Sequence, residues 1–186
     1  MKQALAGLTG PIKAAHADWG WYLALGIGLI ALGACAVYAM PAATVASVIA
    51  IGAIVILSGV FQLATAFAAR GAGHAILLLL IGALDVFVGL MLIQHPGIGA
   101  LTLTLFLAVW FVFGGLYRFV TALVLQLPYY GWAAVNALVT VALGVLLWMQ
   151  WPVSATWFIG FAVGINLIFS GITWSGIAFN LKSLDV

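Results

Sequence analysis

ILLLLIGALDVFVGLMLIQHPGIGALTLTLFLAVWFVFGG, residues 76–115, holds two apolar runs that meet at His95-Pro96-Gly97, and Asp85 is its only charged side chain. A helix needs about 20 apolar residues to cross the ~30 Å hydrocarbon core of a bilayer. Proline drives its predecessor out of the α region and sits well at the first position of a helix. Pro96 is therefore expected to end one membrane span and begin the next across a very short turn.

Two more breakers of this kind, Met40-Pro41 and Trp151-Pro152, flank the stretch. Apolar runs between breakers predict six spans at roughly 20–40, 43–68, 75–95, 98–122, 130–151 and 154–178. Composition agrees: of 186 residues 67% are hydrophobic and only 4% charged, and the mean hydropathy is +1.34. A soluble domain carries about a quarter of its residues as charges. The solvent here is lipid, and a formal charge of +2 is too small to suggest nucleic acid. Cys35, the single cysteine, excludes an intramolecular disulfide and a cysteine metal cluster. Glycines and charges interrupt residues 1–18 before any apolar run long enough for a signal peptide, so they are expected to form an interfacial segment.

The breakers are periodic. Pro41 and Pro96 lie 55 residues apart, Pro96 and Pro152 lie 56 apart, and Gly59, Gly114 and Gly171 follow their prolines by 18, 18 and 19. Gly26/Gly33, Gly52/Gly59, Gly82/Gly89 and Gly164/Gly171 are each seven apart, nearly two helical turns, and so share a helix face. Such punctuation predicts an internal repeat. The expected fold is an all-α membrane protein: six helices as three tandem hairpins with pseudo-three-fold symmetry. The repeats fall at about 19–70, 74–126 and 130–179, within a membrane domain 19–179 followed by a tail 180–186. Small residues let helix backbones approach closely in lipid.

Lys2, Lys13, Arg70, Arg118 and Lys182 all fall on the side shared by the termini, and the proline turns carry no basic residue. Basic residues concentrate on the cytoplasmic side, which places both termini there, in the inner membrane. Trp19, Trp21, Tyr22, Tyr129, Tyr130, Trp132 and Trp174 mark the cytoplasmic boundary, and Tyr38, Trp148, Trp151 and Trp157 the outer one. Amphipathic rings prefer both boundaries and need no ligand there.

The chain resembles the HdeD family of bacterial inner-membrane proteins. The likeness rests on an aromatic before the first helix of a copy (Trp21, Trp132), the Gly-x6-Gly seam, the proline turn and a late glycine in the second helix. It spans nearly all of residues 20–178, with His74 standing where the other copies have tryptophan. The resemblance implies an association with acid resistance and brings no catalytic residues.

Asp85 lies mid-span on the face of Gly82 and Gly89, so it is expected inside rather than in lipid. An intramembrane carboxylate marks either a functional site or a polar anchor held by one donor. If the hairpin folds about Gly97 and Ile98, Asp85 faces Trp110, and Asn166 lies at similar depth on the last helix. Asp85, Trp110 and Asn166 therefore form a candidate midplane cluster. Arg118 lies roughly 12 Å of depth from Asp85 and is expected to snorkel to the interface, where Arg70 also sits. His95 is the candidate pH-sensitive residue near the outer turns. His16 and His74 lie on the other side, so no metal site or cofactor is expected, and no triad of serine, histidine and acid assembles.

The expectation is a non-enzymatic membrane protein: a stress-associated scaffold, or an accessory subunit meeting other membrane proteins or its own copies through glycine-rich helix faces. The alternative is a small channel or transporter for protons or a small neutral solute. Such proteins generally use chains of ionisable groups, and few polar residues line any continuous path here.

Overall fold

A computed structural model describes residues 19–68, 71–125 and 130–182. They form six helices long and apolar enough to cross a membrane: α1 (Trp19–Tyr38), α2 (Met40–Ala66), α3 (Ala72–Gln94), α4 (Pro96–Leu125), α5 (Tyr130–Met149) and α6 (Phe158–Lys182). The six expected spans are present, with ends shifted by a few residues. The interfacial segment 1–18, which carries Lys2, Lys13, His16 and Asp18, lies outside the described residues, as do Arg70, Tyr129 and residues 183–186.

The proline turns are shorter than hairpin loops. Only Ala39 separates α1 from α2, and only His95 separates α3 from α4. Pro41 is the second residue of α2 and Pro96 the first of α4, where a missing N–H leaves no helical hydrogen bond unmade. The third turn differs. Val153–Thr156 forms a 3₁₀ helix held by Ser154 N–H to Gln150 O (3.0 Å) and Ala155 N–H to Pro152 O (3.1 Å). The Ser154 side chain also donates to Leu147 O at 2.9 Å and is fully buried. These bonds delay α6 to Phe158, four residues past its expected start, and it runs on through Lys182 into the expected tail.

Packed helices have axes about 8–10 Å apart, and one residue spans at most ~3.6 Å. α3 and α4, joined by a single residue, therefore cannot lie flush; they meet near the turn and splay. Gly99 of α4 accordingly touches Leu92 of α3 close to Pro96. The pairs α2–α3 and α4–α5, joined by longer connections, are the flush ones, and this corrects the hairpin register expected across Pro96.

The chain divides into two compact units. One contains α1 and most of α6; the other, Thr44–Ile159, contains the rest of α2 and α3, α4 and α5. In the first, Gly33 sits against Gly164 and Gly26 against Gly171. A Cβ on Gly33 would stand 2.6 Å from Gly164 O. Tyr22 stacks on Trp174 at 5.7 Å, and the Lys182 ammonium lies 4.9 Å over the Trp19 ring. In the second unit, Gly52 meets Gly89 and Gly59 meets Gly82 between α2 and α3. Between α4 and α5, Gly115 packs on Ala137 and Val141, and Gly144 on Ala108 and Val112.

Six seam pairs result, one per helix and each seven residues apart: 26/33, 52/59, 82/89, 108/115, 137/144 and 164/171. Corresponding positions recur every 55 or 56 residues. Gly114, expected in this series, has open space where a Cβ would stand; its neighbour Gly115 makes the seam. Burial follows the seams, since lipid gives no drive to hide large apolar groups. Most buried residues are small, with Val48, Leu147 and Ile159 the larger ones.

Candidate functional site

The α2–α3 seam carries the described carboxylate. Gly59 and Gly82 bring the two backbones so close that a Cβ on Gly59 would lie 2.7 Å from Gly82 O and 2.9 Å from Asp85 Cβ. Gln62 and Asp85 each stand three residues beyond their seam glycine. Helical side chains lean toward the N-terminus of their own helix. In an antiparallel pair, Gln62 and Asp85 therefore lean toward each other, into the space the glycines leave.

They meet there. Gln62 Nε2 donates to Asp85 Oδ2 at 2.6 Å and to Ser58 Oγ at 3.1 Å. An amide NH₂ carries two hydrogens, so both bonds can exist together. Asp85 is half-buried and lies eleven residues before Pro96, about 16 Å along α3, or half the hydrocarbon thickness. The arrangement ties two helices together at mid-depth.

Trp110, the expected donor, lies elsewhere. Trp110 is 62% exposed on the outside of α4 and stacks on Phe106 at 6.2 Å, so the donor to Asp85 is Gln62. Asn166 is an exposed residue of α6 in the other unit. Gln62 and Ser58 were not expected. The signal was in the sequence: Gln62 is a polar residue at the same offset from Gly59 as Asp85 from Gly82. The register that assumed a flush hairpin at Pro96 pointed to α4 instead of α2.

His95 is exposed between α3 and α4, where its backbone N–H donates to Met91 O at 2.9 Å. Arg118 is exposed near the far end of α4 and lines a cavity there. Among the described residues no group of three or more His, Cys, Asp or Glu gathers around one point.

Residues 24–94 and 80–149 match the family described as a short repeat of unknown function (DUF308). The two matches begin 56 residues apart, the period of the seam positions. No curated protein and no solved structure matches the chain.

Proposed function

Taking as premise that the chain belongs to the DUF308 short-repeat family, we propose that it is a non-enzymatic membrane protein of the HdeD kind. In this reading it is a scaffold or accessory subunit of a larger membrane assembly that serves under stress, acid stress above all. The observation that carries the reading is the use made of polar groups within the apolar helices. Gln62 fastens α2 to α3 through Asp85, and Ser154 fastens the third turn to α5 through Leu147 O. These groups hold the fold together.

The seam glycines pack against neighbouring helices of the same chain. A membrane partner would instead meet large apolar side chains such as Phe106, Trp110 and Phe113 on the outside of α4. Extraction from native membrane in a mild detergent, followed by affinity capture of the full chain, tests this. A companion membrane protein at fixed stoichiometry is expected. Recovery of the chain alone, with solute or proton flux after reconstitution in liposomes, would replace the scaffold by the channel.

The proposed orientation puts both termini in the cytoplasm, because basic residues mark that side. Reporter tags at the N-terminus, beside Gly71 and at the C-terminus should then all read as cytoplasmic, and one at Gly97 as external. A cytoplasmic signal from Gly97 would reverse the assignment.

A further inference from the structure

A cavity of about 380 Å³ opens beside α4 and α5, lined by Arg118, Thr121, Tyr130 and Asn136 with Ala133 and Leu125 among its apolar walls. The geometry points to a binding site for the phosphate group of an anionic phospholipid, with Arg118 as its cation. Three observations support it.

The first is charge. The chain has three acidic residues; Asp18 and Asp185 lie outside the described residues, which leaves Asp85. Asp85 belongs to the α2–α3 seam and takes its hydrogen bond from Gln62. No described acid therefore neutralises Arg118, and a guanidinium at a cavity wall is suited to grip phosphate through two parallel hydrogen bonds.

The second is depth. Arg118 stands 22 residues along α4 from Pro96, or about 33 Å, just beyond a ~30 Å hydrocarbon core. Phosphates of the bilayer lie at that height, and a basic recess between membrane helices is a known form of headgroup site.

The third is the remaining lining. The Asn136 amide and Tyr130 hydroxyl can donate to phosphate or glycerol oxygens, whereas the Thr121 hydroxyl already donates to Tyr117 O at 2.7 Å. The alanine and leucine walls suit the upper acyl chain better than they suit a hydrated free ion.

The test is native mass spectrometry of the full chain in neutral detergent, titrated with dioleoyl phosphatidylglycerol or with dioleoyl phosphatidylcholine, which has the same chains and no net charge. The parent should favour phosphatidylglycerol. Arg118→Gln should weaken phosphatidylglycerol about fivefold, the scale of one basic residue at a lipid surface, and leave phosphatidylcholine unchanged. Asn136→Leu should weaken it too, while Lys182→Gln, which removes the same charge elsewhere, should not. Millimolar inorganic phosphate should fail to displace the lipid. The proposal is overturned if Arg118→Gln binds like the parent, or if Lys182→Gln loses as much. Displacement by inorganic phosphate would likewise overturn it, by assigning the cavity to a soluble anion.

Discussion

Gly89→Leu should lower the thermal midpoint of the detergent-solubilised protein by roughly 6–12 °C, the equivalent of about 3 kcal/mol in a chain of this size. A Cβ at this position would stand 2.6 Å from Gly52 O, 2.6 Å from Ile56 Cγ1 and 3.0 Å from Ile56 N. Two of these atoms belong to the α2 backbone, so no rotamer change relieves the clash and the helices must separate. Leucine is a good helix former, so local propensity does not explain a loss. A sharper contrast lies on α4. Gly115→Ala should destabilise by about 1–3 kcal/mol, because its Cβ would meet Val141 N at 3.0 Å and Ala137 O at 3.1 Å. Gly114→Ala meets nothing within 4 Å and should be neutral or slightly stabilising. Thermal melts read by fluorescence-detected size-exclusion chromatography check all three variants. Equal behaviour of Gly114→Ala and Gly115→Ala would mean that the seam is not where the helices touch.

The second large effect concerns the hydrogen bond across that seam. Asp85→Leu and Gln62→Leu should each cost about 1–2 kcal/mol, since each strands a polar partner between two helices. The double variant should cost less than the two together, with a coupling of about 1 kcal/mol. Asp85→Asn keeps the shape and an acceptor oxygen for Gln62, so it should fold and assemble like the parent. Trp110→Phe should also leave stability unchanged, because the indole stacks on Phe106 away from the seam. A thermodynamic cycle with zero coupling would refute the anchor. Normal assembly of Asp85→Asn with loss of a cellular phenotype would favour a proton-handling site and the channel reading.

Much of this architecture can be read from residue order. Apolar runs and prolines locate six helices, because length against bilayer thickness leaves few alternatives. Glycines seven apart mark the packing faces, and Asp85 lies on one of them. What residue order does not reveal is which face meets which. Proline turns suggest that neighbours across Pro96 are flush, yet a one-residue link is too short to let them be. That choice moves the expected partner of Asp85 from Gln62 to Trp110. The late start of α6 is likewise hidden, because it depends on the side chain of Ser154 reaching back to Leu147 O.

The seams also bear on what a single copy could do alone. Each joins the second helix of one copy to the first helix of the next: α2 to α3, α4 to α5. The last copy's α6 closes on α1 of the first. A lone copy therefore has no seam of its own and presents two bare glycine faces. Copies carried on separate chains could cover such faces by trading helices, as in domain swapping.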